Sequence, residues 1–150
     1  MTDTPFSWTS VTGHGTISEP AGDSTMTLID PRDIAAIAAT VLTTPGHDGK
    51  TYQLTAAEAL TGTQIAQKIA AAIGRPVTFT DTPPDVLRET MLAAGAPEFI
   101  TDMVLQYFTL VRQGRMHVTT TVADLLGRPP RGYDEWLQDN AQTRIQHADQ

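Results

Sequence analysis

The sequence predicts an α/β fold: a small, mostly parallel sheet with crossover helices and a C-terminal helical cap. Three observations carry this. Short β-branched runs alternate with helical apolar stripes up to Thr80. The stretch LIDPRDIAAIAATVL, Leu28 to Leu42, reads as a strand end, an acidic turn and an apolar helix. Beyond Thr80 only helical patterns follow. Alternating strands and helices imply parallel pairing through right-handed crossovers.

Taken in order, the chain opens with polar, turn-rich residues. Phe6 to Val11 alternates in the manner of a short strand, and the segments around His14 and Pro20 read as loops. Thr25 to Ile29 is β-branched and apolar, a second strand. Asp30-Pro31-Arg32-Asp33 then starts a helix, because Pro31 lacks an N–H that would have no partner in the first turn. Asp33 places negative charge at the positive helix end. Ile34, Ile37, Ala38, Val41 and Leu42 form one stripe expected to pack on the sheet. Thr44-Pro45-Gly46 closes the helix.

Gly49 to Leu54 reads as the next strand. Thr61 caps a helix with Ile65, Ala66, Ile69, Ala70 and Ile73 on one face, ended by Gly74. Val77 to Thr80 is the last strand. Helices then start at Pro83-Pro84-Asp85 and at Pro97. The second carries a wide stripe, Phe99, Ile100, Met103, Val104, Tyr107, Phe108 and Val111, expected to be buried. A short helix around Val122 to Leu126 is expected to be capped by a threonine of Thr119–Thr121. A last helix runs from Tyr133 to Ala141 around Trp136 and Leu137, and a polar tail ends the chain.

The bulk composition narrows the function. With 150 residues, 40% of them hydrophobic, the chain is expected to form one domain with a sizeable core. A formal net charge of −7 argues against a partner of nucleic acid or anionic membrane. The absence of cysteine excludes disulfides, Cys-ligated zinc and thiol nucleophiles. Met1 to Pro5 has no basic or apolar signal-peptide region. No apolar run approaches the roughly 20 residues of a membrane span. A cytoplasmic location is the expectation.

Three phrases, LIDPRDIAAIAATVL, GKTYQLTAAEALTGTQIAQKIAAAIGRPVTFTDTPP and GRPPRGYDEWLQDNA, together resemble the C-terminal half of the NmrA-like proteins, atypical short-chain dehydrogenase/reductase relatives that bind NAD(P). The resemblance runs from about Gly15 to about Ala141. It implies a partial Rossmann-like fold without its dinucleotide-binding half. In the family, a Gly-rich turn after the first strand cradles the cofactor pyrophosphate on a helix N-terminus. Here Gly13, Gly15 and Gly22 are not followed by such a helix, and Thr12-Gly13 stands where the family has an Arg-Pro-Gly turn. A Tyr-x-x-x-Lys pair is also absent: Tyr52, Tyr107 and Tyr133 are followed four residues on by Ala56, Val111 and Leu137. The resemblance therefore implies no cofactor for this chain alone, and NAD(P) only if a partner supplies the Gly-rich loop.

His14, Asp30 and Arg32 are the candidate catalytic residues. His14 lies between two glycines, where a general base could sit. Asp30 and Arg32 lie at a strand end, where α/β sheets gather ligands; helix capping and a local ion pair account for them equally. Trp8, Asp33, Met91, Phe99, Met103 and Tyr107 are the candidate substrate-binding residues, since Met and aromatic side chains suit irregular apolar pockets. No histidine pair has metal-ligand spacing. The leading expectation is a stand-alone substrate-binding half that binds a small apolar organic molecule, with non-redox cyclase, isomerase or dehydratase chemistry. The alternatives are a subunit of an NAD(P)H-dependent oxidoreductase completed by another chain, and a non-catalytic regulatory module. Faces that a Rossmann half would cover predict a homodimer or a complementing chain.

Overall fold

The computed structural model describes residues 8–148. Helix α1 (Trp8–His14) leads through Gly15 into strand β1 (Thr16–Glu19). At Gly15 the backbone has φ of 63°, and a Cβ would lie 3.0 Å from the carbonyl oxygen of Pro76, so the turn favours glycine. Strand β1 pairs in parallel with β4 (Thr78–Asp81), with Thr16 opposite Thr78 and Glu19 opposite Asp81. Strand β2 (Thr25–Met26) pairs antiparallel with β3 (Leu60–Thr61). Between these strands run α2 (Pro31–Thr43) and α3 (Gly62–Ile73). Helices α4 (Pro84–Ala93), α5 (Glu98–Arg112), α6 (Thr121–Leu126) and α7 (Tyr133–Ala148) complete the chain. The α/β class and the closing run of helices agree with the sequence.

The helix starts follow local chemistry. Asp30 caps α2 by accepting the Arg32 backbone N–H at 2.8 Å, and Pro31 fills the first position. Thr61 and Gln64 form a reciprocal capping box at α3, and Gly74 ends that helix in the left-handed conformation. Helix α3 then packs on β1 and β4. Ile17 of β1, Ile65 and Ile69 of α3, and Val77 form the centre of the core. Phe108 and Val111 of α5 and Trp136 and Leu137 of α7 close over it.

Several expectations are corrected. The described part of the 6–11 segment is helical, and Phe6 and Ser7 lie outside the described residues. Trp8 and Val11, three apart, turn the same face to the core, and Trp8 meets the Trp136 ring at 6.3 Å. Helical spacing therefore outweighs the alternation. The first paired strand is instead 16–19, in part of the chain read as loop. Only Thr25 and Met26 of the 25–29 strand are paired; Leu28 and Ile29 are outside the sheet. Residues 49–54 form no strand. Side chains hold them instead: Tyr52 Oη lies 2.6 Å from His47 Nδ1, and the Gln53 carbonyl accepts from Thr119 Oγ1. Among the described residues the strands form two separate two-stranded sheets, β1–β4 parallel and β2–β3 antiparallel.

The helices differ as well. The α2 stripe is buried only at Ile37, and Leu42 is 83% exposed. The α5 stripe splits: Phe108 and Val111 are buried, whereas Phe99 is 70% exposed and Met103 also faces outward. Helix α6 has Thr120 as its N-cap residue, but the Thr120 hydroxyl donates to Asp124 rather than accepting a backbone N–H. Helix α7 continues past Ala141 to Ala148.

Asp33 in the first turn of α2 is fully buried. It accepts from Arg128 Nη2 and Arg131 Nη1, each at 2.6 Å, and from the Arg131 backbone N–H at 2.7 Å. Burial pushes its carboxyl up, but the Arg131 N–H and the two guanidinium groups outweigh this and hold it below the ordinary range. The 128–131 segment that leads into α7 is thereby clamped to α2.

Two outcomes follow. A methyl group at Gly62 would overlap the Phe79 ring, so Gly62→Ala is expected to cost about 1–3 kcal/mol despite the better helix propensity of alanine. Chemical denaturation at pH 7 measures it. Asp33→Asn is expected to cost about 2–3 kcal/mol at pH 7. Because folding lowers the Asp33 pKa, its contribution is complete above the ordinary carboxylate range and disappears as pH falls through the folded value. The gap in thermal unfolding between the Asn variant and the parent should thus narrow as pH falls below the ordinary carboxylate range; a gap that stays constant there would contradict the clamp.

Candidate functional site

A cleft of about 430 Å³ opens between three segments. The approach to α2 contributes Thr27 to Pro31, α5 contributes Met103, Val104 and Tyr107, and α7 contributes Tyr133 and Trp136, with Gly132 just before it. The volume lies within the range of small-molecule sites. Tyr133 and Trp136 stack with ring centroids 5.8 Å apart and planes 6° apart, and Trp8 supports Trp136 from behind. The lining thus combines the aromatic rings of Tyr107, Tyr133 and Trp136 with the aliphatic side chains of Leu28, Ile29 and Val104.

Charge is concentrated at the mouth. Asp30 accepts from Arg32 Nε at 3.0 Å and from Nη2 at 2.6 Å, and Arg32 Nη1 also donates to Asp139 of α7 at 2.6 Å. Burial raises the Asp30 pKa, but the Arg32 hydrogen bonds and charge outweigh it and hold the carboxyl below its ordinary value. The same partners raise the Arg32 pKa, the Asp30 hydrogen bond foremost. A second hollow of about 340 Å³ lies beside these groups, between Arg32, Trp136 and Asn140.

One buried carboxylate lies off the cleft lining. Glu19, the last residue of β1, is 2% exposed, and neither carboxylate oxygen has a hydrogen-bond partner among the described residues. Burial pushes its carboxyl up to about 8. Burial, and then the Glu19 charge, push Tyr107 up to about 12. Tyr133 shifts upward for the same two reasons and by the charge of Asp134. Its hydroxyl is also buried without a partner among the described residues.

The predicted site residues fall into three groups. Asp30, Met103 and Tyr107 line the cleft, and Arg32 borders it. Trp8 is buried behind the aromatic wall, and Asp33 is committed to its two arginines. His14, exposed at the end of α1, Met91 on α4 and the exposed Phe99 do not line the cleft. Tyr133, Trp136 and Glu19 were missed. Tyr133 and Trp136 stand three apart at a helix start, a spacing that puts both rings on one face. Reading 16–19 as a strand would have put Glu19 on the inward face with Ile17.

The family resemblance implies NAD(P), so the described turns from strand to helix can be tested for a phosphate cradle. The start of α2 presents Asp30 and Asp33, which repel phosphate. The start of α3 is closed by its own capping box, and Gly62 there serves contact with Phe79. The start of α4 is Pro83-Pro84, which removes N–H donors. None of these turns fits a pyrophosphate. Among the described residues there is also no group of three His, Cys, Asp or Glu placed to hold a metal ion, and no helix long and apolar enough to cross a membrane.

Comparison with known proteins places these features. The model of the NmrA-like family matches residues 5–137. The NAD(P)H azoreductase of Xenophilus azovorans is 34% identical over 123 residues, covering 81% of this chain and 43% of that protein. A (4-alkanoyl-5-oxo-2,5-dihydrofuran-3-yl)methyl phosphate reductase of Streptomyces griseus is 33% identical over 139 residues, covering 91% and 49%. Among solved structures, the NADPH complex of the quinone oxidoreductase QOR2 from Escherichia coli superposes with a TM-score of 0.78 at 26% identity, covering 88% of this chain and 47% of that one. The Citrobacter triphenylmethane reductase with NADP(H) shares the fold, with a TM-score of 0.75 at 24% identity, covering 87% and 46%. The chain thus spans somewhat less than half the length of these relatives. With residues 5–137 of its 150 matched by the family model and the same half-fold shared with these reductases, this chain belongs to the NmrA-like family.

Proposed function

We propose that this chain is the substrate-binding half of an NAD(P)H-dependent reductase for a flat, apolar organic acceptor, completed by a dinucleotide-binding half on another chain. The observation that carries this reading is the aromatic cleft between α5 and α7, in a fold that corresponds to one half of known reductases. The acceptor lies against the stacked Tyr133 and Trp136, with Met103 and Val104 opposite. The relatives named for azo and quinone reduction support a flat conjugated acceptor. The complementing half supplies the phosphate cradle that the turns here do not offer.

The non-redox expectation loses its support. It named His14, Asp30 and Arg32 as the acid/base set around an apolar pocket; His14 lies off the cleft, Asp30 and Arg32 are taken up by each other, and the reductase relatives favour hydride chemistry. Association with a second chain is supported by Val86 and Leu92 of α4 and Phe99 and Met103 of α5, all large apolar side chains left exposed.

The purified chain is expected to bind 1,4-naphthoquinone in equilibrium dialysis and to show no saturable binding of NADPH. Met103→Lys places a charge in the cleft at an exposed position and should weaken naphthoquinone binding about tenfold without changing the unfolding midpoint. Tight NADPH binding by the chain alone, or unchanged quinone binding by the lysine variant, would refute the proposal.

A further inference from the structure

The cleft is continuous with the hollow beside it. Asp30, Pro31 and Trp136 line both the space of about 430 Å³ and the space of about 340 Å³, so the two adjoin along these residues. Their chemistry differs. Among the described residues lining the cleft, Asp30 is the one charged side chain. The hollow adds Arg32, Asp139 and Asn140. A ligand that fills both must be apolar over most of its length and polar at one end.

The pairing already present decides which polar end fits. Among the described residues, Arg32 is the one cation lining the hollow, against two carboxylates, Asp30 and Asp139. Arg32 places Nε and Nη2 on Asp30, a two-pronged pair that cancels both charges. Asp139 is therefore the surplus charge. Its Oδ2 accepts from Arg32 Nη1 at 2.6 Å, which holds the carboxylate in place, and its side chain is 51% exposed. Its Oδ1 has no protein partner among the described residues. Asn140 donates Nδ2 to the Trp136 carbonyl at 2.8 Å, which leaves its amide oxygen as a second acceptor. Glu135, 3.9 Å from Arg32, adds negative charge nearby, although Arg131 Nε lies 3.2 Å from it. An anion in the hollow would have to compete with Asp30 and Asp139 for Arg32. A cation meets surplus charge and unused acceptors, and an indole in the lining favours it further.

We propose that the hollow is a cation subsite of the cleft, so that the chain takes a flat apolar ring carrying a short protonated amine, the ring in the cleft and the ammonium beside Asp139 and Asn140. The inference rests on the reading of the cleft as a substrate site and narrows its acceptor to a cationic one. Asp139 sets the specificity, and Arg32 is a positioning residue that fixes one oxygen of Asp139 and leaves the other for the ligand.

Equilibrium dialysis at pH 7 with three probes that share one ring tests this: the cation 2-(1-naphthyl)ethylamine, the neutral 2-(1-naphthyl)ethanol and the anion 1-naphthylacetate. The amine is expected to bind about fivefold more tightly than the alcohol, and the acetate more weakly than either. Asp139→Asn keeps the shape but not the charge, and should bring the amine to within about twofold of the alcohol. Asp48→Asn removes the same charge at an exposed position outside both spaces, and should leave the fivefold preference intact. Both substitutions lie at exposed positions, so thermal unfolding should show midpoints near that of the parent. Equal binding of amine and alcohol, or tighter binding of the acetate, overturns the subsite but leaves the cleft as a site. A preference that survives in Asp139→Asn, or that falls as far in Asp48→Asn, overturns it as well, because the overall charge of the chain then accounts for the result. Binding of none of the three probes overturns the cleft reading itself.

Discussion

The fold depends most on the buried carboxylate of Asp33. A fully desolvated charge is stable only when paired and hydrogen-bonded, and Asp33 has three donors from the 128–131 segment. That segment lies far along the chain, 95 residues away at Arg128. The clamp therefore fixes where α7 begins, and with it Tyr133 and Trp136. Arg32 adds a second tie by joining Asp30 to Asp139. Two sides of the cleft, 27–31 and 132–136, are thus held together by ion pairs.

This arrangement separates the polar groups into two sets. Asp30 and Arg32, beside the cleft, pair with each other and with Asp139, and Asp33 pairs with Arg128 and Arg131. The buried side chains of Glu19 and Tyr133 have oxygens with no hydrogen-bond partner among the described residues. The dense charged cluster that first attracts a functional reading is thus mostly architecture, whereas an inconspicuous glutamate in a four-residue strand carries the unmet hydrogen-bonding capacity. Paired groups recognise a ligand only through the atoms that pairing leaves over.

The helices were the legible part of the sequence. Asp30-Pro31, Thr61 and Gly74 are local signals, decided within one turn, and all act as read. The strands were less legible because their pairing is not local. Leu28, Ile29 and residues 49–54 have strand-like composition but find no ladder here, whereas Thr16 to Glu19 has weaker composition and does find one with β4. The stripes of α2 and α5 were legible as helical but not as to which part is buried, because that depends on what lies opposite. Of the site, Asp30, Met103 and Tyr107 could be placed from sequence. Tyr133 and Trp136 could not, since α7 reaches the cleft through the Asp33 clamp.

The β1–β4 pairing bears on how the chain reaches this state. Gly15 and Thr78, bonded at the start of the ladder, are 63 residues apart in sequence. Closing so long a loop is paid for in chain entropy before the ladder returns any of it. Helices α2 and α3, with their local caps, can form while that loop is open. During synthesis β1 must wait until β4 has left the ribosome, with Ile17 and Glu19 uncovered. The helices can thus precede the parallel ladder, and Glu19, on β1, is covered only once the ladder has formed.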